Sequence, residues 1–433
     1  MGYYEEWGAN AMATRRVDKA PKKRFRILYW IIGILVVLAG AAYGVKAYYS
    51  NLSNVFPTHL PKTVSGSTFN FSHRITILLM GSSLETSANN TVQTSRNVRD
   101  RSDTLILVSI DPKTKQVGVV SIPRDTRVYV PKIGMTKIAE STFFGGAKET
   151  VQVVQNTFHV PVDYYAYISM FQFAKVINDM GGLTIYVPHN EVYQPSGGKL
   201  GIDLHKGLQH LNGLQVLQYA RFRNTAQGDI GRIQQQQQIL KDIAKQLLQP
   251  KYIPEIPKLA SDLFGALTST NLNTSQLVAL ALFAHHISLS SVRYGTIPGY
   301  GATFMDPYLK VPLSYWVYDK HLSNVLIQDA LLSQPLTLAQ KQSLKIQIAS
   351  GTGSLAPAQA LAKKLEAQGY DVTGVIWANH HNHQRSILVN STGDKWLGQR
   401  LINMLGSNTV NQFAPYHTTP WDIKITVGAD YKG

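Results

Sequence analysis

The sequence predicts an α/β (α+β) sandwich, a central mixed β-sheet flanked by helices, with a small C-terminal β-α-β domain and one N-terminal membrane-spanning helix. Three observations carry this reading. Residues 104–110 (TLILVSI) and 116–122 (QVGVVSI) are apolar on both faces, as central strands covered by helices must be. Strand-like and helix-like segments alternate at 164–169, 171–180 and 183–187, which argues for a layered sheet and helices. One uncharged run, 27–45, is long enough to cross a hydrocarbon core as a helix.

Taken in order, residues 1–26 form a basic tail with seven Lys or Arg against three acids, while only Lys46 follows the apolar run closely. That bias places the tail in the cytoplasm and everything after Lys46 outside, at the cell membrane. Residues 46–73, with Pro57, Pro61 and Ser65-Gly66-Ser67, read as an extracellular linker. The main domain is expected over 74–334. Its first strand, 74–80 (RITILLM), runs into Gly81-Ser82-Ser83, and the strands at 104–110 and 116–122 pair across Asp111-Pro112-Lys113-Thr114-Lys115. A helix over 171–180 stops at Gly181-Gly182, and further helices are expected near 213–221, 230–248 and 274–286, then a strand at 292–297. A second linker, 335–343, leads to the C-terminal domain, 344–433. There LKIQIAS reads as a strand, 357–368 as a helix capped by Gly369, and 371–377, 386–389 and 423–427 as strands.

The 433 residues carry a formal net charge of +16, so the partners should be acidic. With the large domain outside the cell, wall polymer or the headgroups of lipid-linked precursors are expected, and nucleic acid is not. The absence of cysteine excludes disulfides, thiolate chemistry and Cys-based zinc sites. His380, His381 and His383 match no standard zinc spacing.

The stretch 218–238, QYARFRNTAQGDIGRIQQQQQ, reads as an anion site. Arg221 and Arg223 are two apart where a helix gives way to extended chain, so they project together. Arg232 and Gln236 are four apart on a helix beginning near Asp229, whose free N–H groups also favour a negative ligand. Guanidinium forks bind phosphate bidentately, which makes a diphosphate the natural guest; a solvated helix face with ordinary ion pairs is the alternative. Arg101 with Asp103 at one strand's mouth, and Arg124 with Asp125 past the next strand's end, fall where α/β proteins place ligands, although turn chemistry also explains such residues.

SDTLILVSIDPKTKQVGVVSIPRDT (102–126), VDYYAYISMFQF, INDMGGLTIYVP and LNGLQVLQYARFRN…GDIGRIQQQQQIL resemble the LytR-CpsA-Psr family of Gram-positive cell-wall enzymes over residues 74–332. Residues 344–432 resemble the LytR C-terminal domain, through Ser350-Gly351 and the closing Gly428–Tyr431. The first resemblance implies transfer of an anionic glycopolymer, teichoic acid or capsular or exopolysaccharide, from an undecaprenyl diphosphate carrier to peptidoglycan. It implies a diphosphate clamp of Arg101, Arg124, Arg221, Arg223, Arg232 and Gln236, catalytic roles for Arg101, Asp103 and Arg124, and Mg²⁺ as cofactor on Asp103. Two departures stand out. Ser83 occupies the place of the family's usual second magnesium aspartate, unless Glu85 or Asp100 substitutes, and Gln235 replaces an arginine. Both reduce the electrostatics on which phosphoryl transfer depends. The expected function is therefore a membrane-anchored extracellular phosphotransferase; the alternative, favoured by Ser83, is a non-catalytic protein that binds a polyprenyl-phosphate-linked or wall polymer. A transcriptional regulator conflicts with the extracellular topology.

Overall fold

The hydrophobic runs of the first half become β1 (Ile75–Ser82), β2 (Ser102–Asp111) and β3 (Gln116–Ser121), followed by a hairpin of β4 (Arg127–Val130) and β5 (Gly134–Lys137) and by helix α1 (Ile138–Phe158). Then come β6 (Tyr164–Ser169), α2 (Met170–Asp179), β7 (Leu183–Val187), β8 (Glu191–Tyr193), β9 (Ile202–Leu204), β10 (Gly207–Leu211), α3 (Gly213–Arg221) and α4 (Gly228–Leu247). Helix α5 (Ile256–Ala266), β11 (Leu267–Thr270), α6 (Thr274–Ala284), β12 (Val292–Thr296), β13 (Gly299–Met305), β14 (Pro312–Tyr318) and α7 (Lys320–Leu326) complete this half. After α8 (Leu338–Gln342), the C-terminal part contains β15 (Lys345–Ser350), α9 (Ala356–Glu366), β16 (Asp371–Trp377), β17 (Ile387–Asn390), α10 (Lys395–Leu405), β18 (Val410–Phe413) and β19 (Ile423–Val427).

This computed structural model describes residues 73–82, 101–193, 201–222, 228–406, 409–415 and 419–432. Every described residue belongs to one compact unit, Phe69–Gly433. The membrane helix expected at 27–45 lies outside the described residues, as do Ser83, Glu85, Asp100 and Arg223. Among the described residues no helix is long and apolar enough to cross a membrane.

The main sheet is mixed, in the order β11-β6-β1-β2-β3-β12. Strands β1, β2 and β3 are antiparallel neighbours, β6 runs parallel to β1, and β12 runs parallel to β3. One face carries Leu78, Met80, Leu105, Leu107 and Val120 into a closed core against Val153, Val154 and Phe158 of α1 and Leu326 and Leu331. The other face presents Ile77, Leu79 and Ile106 to helices α2, α4, α5 and α6. Strands apolar on both faces are thus explained by helices on both sides.

Helix α1 is not anticipated by the sequence reading, because Gly145-Gly146 interrupts its pattern; Gly146 has φ +74 and marks a kink within the helical run. The expected β-α-β unit at the C-terminus is larger than that: a five-stranded sheet, β16-β15-β19-β17-β18, with two helices. Its second helix, α10, is capped by Asp394, whose carboxylate accepts from Trp396 N at 2.9 Å and Leu397 N at 3.0 Å. The stretch expected as a second linker contains α8, begun by a Thr337–Gln340 capping box, and buries Leu336. The C-terminal core also takes in Leu322 and Val325 of α7.

Candidate active site

Strand β1 ends against β2 with a shift of register: Gly81 pairs with Thr104 and Ser82 with Ser102, so Asp103 is the extra residue of a bulge. A bulge re-aims one side chain out of the strand's alternation, and here that side chain is the acid of the expected set. Arg124 Nη1 donates to Asp103 Oδ1 in a half-buried ion pair. Arg124 Nε lies 3.8 Å from Asp125 Oδ1, which Lys137 Nζ binds at 2.9 Å. Arg101, just before β2, donates from Nε to Glu140 Oε1 at 2.6 Å, and its guanidinium sits 5.3 Å from the Phe143 ring centroid.

The backbone that carries Arg124 is held by three neighbours. Its own carbonyl accepts from Ala139 N at 3.1 Å, the Asp125 carbonyl from Trp316 N at 2.8 Å, and the Thr126 carbonyl from Ile138 N at 2.8 Å. Trp316 packs on Ile230 and Ile233, which flank the Gly231-Arg232 pair in α4. Further along α4, Gln237 Nε2 donates to Ser121 Oγ at 3.0 Å and to the Gly295 carbonyl at 2.8 Å. Hence α4 lies across the end of β3, and the segment bearing Arg232 is tied to the segment bearing Arg124. Arg232 itself is 6% exposed.

Beside this pairing opens a cavity of about 390 Å³. Thr104 and Gly81, the paired residues next to the bulged Asp103, line it together with Gln236. The rest of the wall is apolar, with Leu79, Ile168, Phe173, Ile239, Leu259 and Leu280 drawn from both the sheet and the helices. Helix α6, TSQLVALALFA, is apolar nearly all round, yet residues 277–284 are only partly buried. A helix of that composition ordinarily sits in a full core. Here Leu277, Leu280 and Ala281 face the cavity.

The structure joins Asp103 to Arg124 directly, sets Arg101 at the same strand start, carries Arg232 on the part of α4 that packs on Trp316, and lines the cavity with Gln236. Arg221 stands exposed at the last position of α3. Arg223 lies outside the described residues.

Gln235, the residue in the place of a family arginine, is buried and donates to Glu191 Oε1 at 2.8 Å. Glu191 is fully buried, with His189 Nε2 at 3.9 Å. Burial pushes the Glu191 carboxyl up to about 7, the Gln235 hydrogen bond acting in the opposite sense. Nothing in the sequence marks Glu191, because its partner is 44 positions away. Lys137 and Gln237 are likewise found only from the fold.

Fold and site define a mixed α/β protein in which an arginine-rich strand end adjoins an apolar cavity. The LytR_cpsA_psr family model matches residues 43–328, well over half of the chain, and the chain belongs to that family. Over 171 residues it is 37% identical to the polyisoprenyl-teichoic acid–peptidoglycan teichoic acid transferase TagV of Bacillus subtilis, a match covering 38% of this chain and 44% of that protein. It is 34% identical over 239 residues to the transferase TagU of Bacillus licheniformis, covering 53% of this chain and 72% of that protein. The crystal structure of B. subtilis TagV superposes with a TM-score of 0.50 at 29% identity, covering 61% of this chain and 99% of that one.

Proposed function

We propose that this protein is a membrane-anchored extracellular phosphotransferase that moves an anionic glycopolymer, teichoic acid or a related polysaccharide, from an undecaprenyl diphosphate carrier to peptidoglycan. The observation that carries the proposal is the apolar cavity whose wall includes the neighbours of Asp103: one compartment takes a hydrocarbon tail while the adjoining arginines take a diphosphate. The names of the related TagV and TagU transferases support the same reading.

In this reading the prenyl chain lies along Ile168, Phe173 and Leu280, and Gln236 meets the diphosphate where the chain ends. Arg124, held by its backbone contacts, exchanges part of its pairing with Asp103 for phosphate oxygens, with Arg101 and Arg232 adding charge. A peptidoglycan hydroxyl attacks the phosphorus that bears the glycopolymer and releases its proton to solvent, the bond to the bridging oxygen breaks, and prenyl phosphate leaves with the electron pair. Positioned cations stabilise the charge on the transferring group, which is the main catalytic requirement of such a step. Among the described residues no three His, Cys, Asp or Glu gather at one point. Asp103, whose carboxylate is a hard oxygen donor, is the residue that would hold Mg²⁺. When bound, Mg²⁺ supplies further neutralisation of the diphosphate.

Ser83, in the position of the family's second acid, favours one other reading, a protein that holds the lipid-linked polymer without turnover. The first test is the affinity of the full chain in detergent for geranylgeranyl diphosphate. Each charge-assisted contact contributes about 1.5–3 kcal/mol, so Arg124→Ala should weaken binding by about tenfold or more. Unchanged affinity in a folded variant removes Arg124 from the site; tight binding with no transfer to peptidoglycan, with or without Mg²⁺, replaces the enzyme by the binding protein.

A further inference from the structure

The geometry points to the C-terminal module as a positioning element for the site helix, acting through Lys395 on Gln237 of α4. Lys395 is the first residue of α10, and its Nζ donates to Gln237 Oε1 at 2.9 Å. Both N–H groups of the same amide are already committed, one to Ser121 Oγ at the end of β3 and one to the Gly295 carbonyl of β12. Three segments thus converge on one side chain: the strand that leads into Arg124, the edge of the main sheet, and the C-terminal module. Gln237 follows Gln236 directly and lies little more than a turn beyond Arg232, so its orientation sets how far α4 is rotated over the diphosphate position.

The module is placed for this by a close backbone junction. Gly393 φ is +75, its carbonyl accepts from Thr296 N at 2.9 Å, and a Cβ at Gly393 would fall 2.0 Å from the Thr296 carbonyl oxygen. Asp394 then bridges to Gly295, so the turn covers the otherwise open edge of β12. Beneath it, fully buried Asp329 receives Arg400 Nη1 at 3.1 Å and Nη2 at 2.5 Å, with Arg293 Nη1 at 3.4 Å from the same carboxylate. Such a paired charge cluster fixes a register, since sliding the module would strand a buried charge. The Lys395 ammonium is held down to about 8, by burial first and by Lys241 second, and Nζ lies 5.0 Å from the Phe413 ring centroid. A partly buried lysine next to one amide acceptor is suited to hold that amide in a single rotamer.

The inference rests on the diphosphate reading of the site, and two measurements on the full chain separate them. Lys395→Met should speed hydrogen exchange at the amides of 232–240 and weaken geranylgeranyl diphosphate binding by about fivefold. The melting temperature and the exchange of the C-terminal strands should change little, and Lys395→Arg, which keeps a donor, should restore both quantities. Unaltered exchange in 232–240 together with unaltered affinity overturns the inference while leaving the site intact, provided Arg124→Ala still loses binding. A general loosening of the C-terminal module, not rescued by arginine, also overturns it, because Lys395 is then only structural. If the unmodified chain binds no prenyl diphosphate, the reading of the site has failed, and the exchange measurement still decides whether Lys395 holds α4.

Discussion

Asp103 and Arg124 are expected from the sequence by their places at strand ends, and their pairing follows from a bulge that no linear pattern reveals. Glu191 is the reverse case, an acid whose role is set wholly by burial. Its carboxyl rises from an ordinary 4.5 to about 7, so between those values the folded chain holds a proton that the unfolded chain releases. Folding stability from this group is therefore fully present below 4.5, falls as pH rises through that window, and is level above about 7. Glu191→Gln keeps an acceptor for Gln235 and removes the titration. It should leave the melting temperature unchanged near pH 4 and raise it at pH 8, at about 2–4 °C per kcal/mol recovered. Equal melting curves at both pH values would mean that the carboxylate is solvated in the folded protein.

At the scale of elements, α4 and α6 show how much of the site depends on packing. Arg232 and Gln236 share a face of α4 as their spacing requires, but it is the neighbouring face, Ile230 and Ile233 against Trp316 and Gln237 against the end of β3, that fixes the helix and leaves Gln236 at the cavity. The apolar composition of α6 reads equally well as ordinary core; only the structure leaves a cavity beside it. Ala281→Trp should fill that space. We expect it to weaken geranylgeranyl diphosphate binding by about tenfold or more, while inorganic pyrophosphate, which has no tail, binds as before. Equal losses for both ligands would place the tail elsewhere, and a lower melting temperature would show overpacking instead.

For the whole molecule, the charge bias around 27–45 remains the basis for topology, since that segment lies outside the described residues. Protease added to wall-stripped intact cells should digest the chain beyond the linker and spare the N-terminal tail. Protection of residues 74–433 would place the site in the cytoplasm and remove the wall-polymer function. Residues 69–433 also form one compact unit, in which the C-terminal module shares core residues with α7 and, through Arg400, pairs with Asp329, the carboxylate that also pairs with Arg293 of β12. Separate linkers and domains read along the chain thus meet through a charge cluster, Arg293, Asp329 and Arg400, that spans 107 positions (400 − 293) of sequence.

The sequence by itself determined the mixed sheet and the strands at its centre, β1, β2, β3, β6 and β12, because two-faced apolar runs, glycine stops and capping residues act over a few neighbouring positions. Its ordered motifs also determined the family, which the match over 43–328 shows. Tertiary structure alone decided which arginine meets Asp103, that Gln235 serves Glu191 instead of the ligand face, where the cavity lies, and that Lys395 reaches the site helix. Each of these depends on side chains distant in sequence being desolvated together. Burial of that kind is a property of the packed layers, and a local pattern of residues does not encode it.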